Sequence, residues 1–287
     1  MKRGILVAVG IFFSATWTAF RPCAAATADV GQLLQNMTTE TAEVRMKAFK
    51  EIVALGSDGV VEVTRRLIEP QTGEAKKTEP ATIARGKGRK NVERGKVEWG
   101  SAESARIEDA GARFALHGMA VSFSRPGAEK ERARFVKALA GVLKSDRPAA
   151  VKKFLIEQLQ IAGREDAVPA LAACLNDEAL AESARQALEA NRTRAAVDAL
   201  RKALPKAKGS LRAGIINSLG IRGDKQAVEA LLADAKSDDE PVRCAALAAL
   251  GRIGDDRARP VIEGALNSDS TAVKRAATEG KLLLEKK

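Results

Sequence analysis

Apolar positions recur along most of this chain with the 3.6-residue period of an amphipathic helix. Between residues 147 and 284 they also recur on a longer scale, because the same helical hairpin is written about four and a half times. Two apolar columns carry this repeat. Leu159, Leu188, Leu219 and Leu250 are 29, 31 and 31 residues apart, and Leu171, Leu200, Leu231 and Ile262 follow each of them by 12. A fixed period near 30 marks a solenoid, whose units bury their apolar faces only by stacking on their neighbours. The pattern predicts first helices over 148–161, 179–190, 210–220 and 241–252, and second helices over 166–175, 194–204, 225–235 and 256–267.

Local signals supply the turns. Gly163, Gly223 and Gly254 fall at equivalent inter-helix positions, with Asp166, Asp224 and Asp255 or Asp256 placed to cap the helix that follows. The 178–207 unit has Asn191-Arg192 instead of glycine, and asparagine also accepts a left-handed backbone. The last helix, Thr271 to Leu284, places Lys281 where the column calls for leucine. A polar outer face there suits a terminal cap.

Upstream the pattern is looser. Gln32 to Glu69 reads as a first hairpin, because EVRMKAFKEIVALG superposes without gaps on PVRCAALAALGRIG of residues 241–254. Gly56 is expected to turn the chain, Ser57-Asp58 to cap the next helix, and that helix to run from Val60 to Ile68. A second hairpin is expected from helices over 102–122 and 128–144, with Phe114, Phe123, Phe135 and Phe154 as its aromatic core. Residues 70–101 between the hairpins hold two prolines, five glycines and no apolar period. They read as an irregular insertion, either without order, or a hairpin cover, or a binding loop. The domain plan is then 1–26 a signal peptide, 27–69 a hairpin, 70–101 the insertion, 102–146 a second hairpin and 147–287 the regular array with its cap.

Composition adds to this picture. Ala and Leu dominate, Tyr is absent, and no aromatic follows Phe154, which suits closely packed helices. The net charge is +11, and it falls to +8 without the first 26 residues. Those residues carry Lys2 and Arg3, an apolar run over 4–20, and small-residue cleavage patterns ending at Ala26 and Ala28. That is the form of a secretory signal, so a periplasmic or secreted protein is expected. A retained membrane anchor and a lipid on Cys23 are the alternatives, although Phe20-Arg21-Pro22 suits lipidation poorly.

The sequence D-D-E-P-V-R-C-A-A-L-A-A-L-G-R-I-G-D-D from Asp238 to Asp256 resembles the HEAT-like repeat first grouped with phycobilisome lyases. SDGVVEVTRRL and REDAVPALAACL are similar to its second helix, and ALHGMAVSFSRPGAEKERARFVKAL resembles a part of exported bacterial HEAT-repeat proteins of unassigned activity. The resemblance implies an all-α fold, a right-handed α-solenoid of HEAT-like hairpins. It also implies a scaffold or adaptor, with a lyase-like accessory or chaperone for a prosthetic group as the alternative. It carries no catalytic motif onto this chain.

The candidate chemistry is sparse. His117 is the sole histidine, which excludes a multi-histidine metal site, and no phosphate-binding loop or nucleophile elbow occurs. Cys174 and Cys244 lie too many units apart to bridge, and read as small buried side chains. Catalytic, cofactor and metal residues are therefore none. One ladder does stand out. The residue after the first apolar anchor of each first helix is Arg45, Lys152, Arg212, Arg243 or Lys274, with Ala181 the exception. These can pair with Asp177, Asp239 and Asp269 between units, or face an anionic ligand. Arg85, Lys87, Arg89 and Lys90 in the insertion, with Trp99, make a second basic candidate able to bind anionic polymer or lipid. The expected partner is another protein, bound on a concave face lined by the second helices, for instance by Arg201, Lys202, Glu229 and Glu263. A monomer is expected. Nucleic acid is disfavoured for want of stacking groups, and peripheral membrane contact stays open.

Overall fold

The computed structural model describes residues 29–39, 41–67 and 109–286. The signal peptide, the basic insertion and its residues Arg85, Lys87, Arg89, Lys90 and Trp99 lie outside them. Among the described residues the fold is all-α, with fourteen α-helices and no strand. Helix α1 (Val30–Asn36) precedes six hairpins. Their first helices are α2 (Ala42–Ala54), α4 (Ala110–Phe123), α6 (Ala149–Ala162), α8 (Ala181–Ala190), α10 (Gly209–Ile221) and α12 (Glu240–Ile253). Their second helices are α3 (Gly56–Arg65), α5 (Glu129–Leu143), α7 (Val168–Cys174), α9 (Arg194–Ala203), α11 (Val228–Asp234) and α13 (Arg259–Ala265). Helix α14 (Thr271–Glu285) closes the array. Both leucine columns are fully buried, and they form one continuous core from Leu33 to Leu284. This is an α-solenoid.

The second helices are shorter than the periodicity predicts. Residues 165–167, 225–227 and 256–258 form 3-10 turns before α7, α11 and α13. Pro169 and Pro260 sit in the first turn of α7 and α13, where a missing N–H costs nothing. Helix α3 starts at Gly56, four residues early, because Gly56 turns the chain by itself at φ 64°. Ser57 and Asp58 therefore lie inside the helix, and no side chain caps it.

The inter-helix turns also differ from expectation. Gly223 and Gly254 are left-handed, at φ 63° and 73°. Gly163 and Asn191 have extended backbone instead. Gly163 is needed for space, since a Cβ there would lie 2.4 Å from the Leu159 carbonyl oxygen. Asn191 works through its side chain: its amide donates to the Arg164 carbonyl at 2.8 Å, and its oxygen accepts from Thr193 N at 3.0 Å and Thr193 Oγ1 at 2.7 Å. That arrangement serves a turn whose next helix is capped by Thr193. Of the expected aspartate caps, Asp255 accepts from Arg257 N, whereas Asp166 and Asp224 are drawn into ion pairs between units.

The expected aromatic core splits in two. Phe123 and Phe135 meet edge to face, 5.7 Å between centroids, in the buried interior. Phe154 is half-buried beneath the Arg113 guanidinium at 4.8 Å, and Phe114 is 41% exposed. The reason is helix phase, because Phe114 follows the outer stripe of α4.

Candidate functional site

The regular array is held by ion pairs that the sequence ladder only partly foretells. Arg212 donates from Nε and Nη2 to Asp234 Oδ1 at 2.9 and 2.7 Å, and from Nη1 to the carbonyls of Leu204 and Ala207. Its partner is thus the last residue of α11 in its own hairpin. Asp239 instead caps α12, Asp177 caps the turn at Ala179, and Ser270 caps α14 beside Asp269. Arg45 donates to the Thr39 carbonyl. Lys152 is half-buried and Lys274 exposed. Arg243 has its Nε buried without a hydrogen-bond partner. The ladder therefore does not act as one row of equivalent groups.

Other pairs stitch successive units together. Arg132 reaches Asp166 at 2.9 Å, Arg201 reaches Asp224 at 2.6 Å, and Arg257 reaches Glu229 at 2.5 Å. Arg222 donates to the carbonyls of Glu189, Asn191 and Thr193. Arg185 joins Glu182, Glu189 and Ser218, and its hydrogen bonds hold the Glu182 carboxyl below the usual carboxylate range. The side-chain hydrogen bond from Arg257 brings the Asp255 carboxyl down to about 2. These groups are consumed by structure. Burial pushes both the Cys174 and the Cys244 thiol up, away from the reactive thiolate. His117 is exposed, with Nδ1 3.3 Å from Gln158 Oε1.

The two rows of helices pack with different tightness. From α10 to α14 the first helices touch backbone to backbone. A Cβ on Gly220 would lie 2.7 Å from Cα of Ala249, one on Gly251 2.3 Å from the Gly280 oxygen, and one on Gly280 2.6 Å from the Leu247 oxygen. The second helices α9, α11 and α13 touch one another far less. Of the residues expected to line a concave face, Arg201, Lys202, Glu229 and Glu263 sit on the second helices α9, α11 and α13, and Arg201 is committed to Asp224 and Asp198. At the other end the tightness reverses, and α3 packs more closely on α5 than α2 does on α4.

The first-helix row has a second distinction. Among the described residues, the large apolar side chains that stay exposed are Val44, Met46, Phe114, Val121, Ile221 and Leu282, and all six belong to α2, α4, α10 or α14. Phe114, His117 and Val121 form one stripe along α4, at spacing i, i+3, i+7. Gly118 beside them lets the Phe49 ring of α2 approach to 3.0 Å of a would-be Cβ. Sequence reasoning missed this stripe because it assigned Phe114 to the core.

Residues 197–280 match the family model for HEAT repeats. The match falls on the part of the array with the tightest first-helix packing. Among solved structures, the complex of CpcE and CpcF of phycocyanin lyase from Nostoc sp. PCC7120 is similar at 18% identity and TM-score 0.39, covering 68% of this chain and 80% of that one. A designed armadillo repeat protein is similar at 15% identity and TM-score 0.37, covering 89% and all of its own length. Human deoxyhypusine hydroxylase is similar at 14% identity and TM-score 0.34, covering 90% and 95%. At such TM-scores these likenesses carry no argument about function. A comparison with curated proteins finds no match. Among the described residues no helix is long and apolar enough to cross a membrane, and no group of His, Cys, Asp or Glu is arranged to hold a metal.

Proposed function

We propose that this protein is an exported, non-catalytic scaffold that binds a partner protein through its first-helix face. One observation carries the reading: among the described residues the exposed large apolar side chains sit on the first-helix row and none on a second helix. Phe114 and Val121 share one stripe of α4 beside the Phe49 ring of α2, and an exposed apolar stripe of that kind suits a protein contact. A stack of repeats also offers an extended surface without a dedicated cavity, as adaptors require. The match of residues 197–280 to HEAT repeats supports the same class. Export rests on the first 28 residues of the sequence.

The test starts from tagged full-length protein captured from the envelope fraction of its own cell. A specific co-purifying protein is expected, and the isolated chain should begin after Ala26 or Ala28. The double variant Phe114→Asp, Val121→Asp should lower capture by roughly tenfold or more while keeping the helical circular dichroism, since central apolar anchors dominate interfaces. Capture that is absent, or equal in the double variant, would overturn the assignment of this face.

A further inference from the structure

The second-helix row carries a feature of a different kind at the N-terminal end. Helices α3 and α5 wall an open trough of about 640 Å³. Arg134, Lys137 and Gly141 line it from α5, Arg65 and Asp58 from α3, and Arg147 at one end. Four of these are basic and one is acidic. Arg65 is paired with Glu62 at 2.8 Å. Arg134, Lys137 and Arg147 have no carboxylate partner among the described residues. Arg147 is nevertheless held in place, because its Nη2 donates to the carbonyls of Thr64 and Leu67, leaving its Nε buried and without a partner. Arg134 and Lys137 are exposed to solvent and Arg147 is half-buried.

Gly141 is the second, independent observation. It lies inside the last turns of α5, where glycine costs about 1 kcal/mol relative to alanine. No packing demands it: a Cβ there would meet nothing within 4 Å, and its backbone is not left-handed. It lines the trough, where a side chain would project into open space. Arg134 and Lys137 are one turn apart on α5, about 14 Å of that helix runs from Arg134 to its end at Leu143, and Arg147 lies four residues beyond. That length fits an extended chain of about five residues better than a single small anion. Apolar Val61, Ala138 and Val142 form the walls between the charges, a concave lining that suits a polypeptide more than a flat bilayer.

We propose that this trough binds an acidic segment of a protein, seated between α3 and α5 with its carboxylates on Arg134, Lys137 and Arg147. The site goes beyond the first-helix face, and needs from the scaffold reading only that the ligand is a protein. The test uses the full chain and a short fluorescein-labelled peptide of Glu and Ala, followed by fluorescence anisotropy. A matched peptide of Gln and Ala and vesicles of phosphatidylglycerol in phosphatidylcholine serve as rival probes.

Saturable binding of the Glu peptide alone is expected, weakening as salt screens the charges. The double variant Arg134→Glu, Lys137→Glu should bind about tenfold more weakly. Gly141→Leu should do the same by filling the floor, with an unchanged circular dichroism spectrum, since nothing lies close enough to clash. The proposal is overturned by absent binding, by equal binding in both variants, or by vesicles binding in place of the peptide. It is also overturned if Gly141→Leu has no effect while the charge reversal does, because the peptide would then be held by net charge alone. Neither variant touches Phe114 or Val121, so capture by the first-helix face can fail or succeed separately.

Discussion

At the scale of single residues, the repeat offers its own internal control. Arg212 and Arg243 occupy equivalent positions, 31 residues apart, and so do Asp234 and Ala265. Arg212 reaches its aspartate, whereas Arg243 meets an alanine and keeps a buried Nε unpaired. The two copies thus share the arginine and differ at the partner position. Supplying that partner should help, because a hydrogen bond to a charged group contributes about 1–3 kcal/mol when the donor is already placed. Ala265→Asp is therefore expected to raise stability by about 1 kcal/mol in urea denaturation. No gain, or a loss, would mean that the 265 position does not aim at Arg243 as Asp234 aims at Arg212. The ladder of basic residues was legible in the sequence. Its partners were not, since the aspartates adjacent to helix starts serve as caps and the pairing residue lies at the far end of the next helix.

At the scale of elements, glycines separate into those that permit contact and those that do not. Gly251 and Gly280 let α12 and α14 meet backbone to backbone, and Gly220 does the same for α10 and α12. Gly264, inside α13, has nothing within 4 Å of a would-be Cβ. The same substitution should consequently have opposite signs. Gly251→Ala is expected to destabilise by about 1–3 kcal/mol through overpacking, and Gly264→Ala to stabilise by about 0.4–1 kcal/mol through the unfolded chain. Thermal melts of the two variants check this, and a shared sign would refute the packing argument. The helices themselves could be read from apolar periodicity to within a few residues. Their 3-10 beginnings could have been suspected from Pro169 and Pro260, which fit only in a first turn.

At the scale of the whole molecule, stability in a solenoid is a sum over neighbouring interfaces and need not be uniform. The C-terminal units combine tight glycine contacts with a first helix, α12, that is buried on nearly every side. The N-terminal hairpin α2–α3 has few fully buried positions and no side-chain cap on either helix. Amide hydrogen exchange should accordingly be slowest in α10, α12 and α14 and fastest in α1 to α3. Uniform protection along the chain would show that the array opens as one cooperative unit. The reversal of packing between the two ends also separates the two candidate surfaces. The apolar groups follow the first helices, and the basic trough lies where the second helices α3 and α5 come together.

What the sequence determined by itself was the repeat. Two leucine columns at a period near 30 dictate hairpins, stacking and an all-α array, because no other fold buries apolar residues at those spacings. Tertiary structure alone decided which helix row packs more tightly near the C-terminus, since that depends on how closely Gly220, Gly251 and Gly280 let neighbouring backbones approach. It also decided that Phe114 faces outward while Phe135 is buried, a matter of helix rotation against neighbours. Finally, it brought Arg134, Lys137 and Arg147 opposite Arg65, residues about 70 or more positions apart in the chain that no local pattern connects.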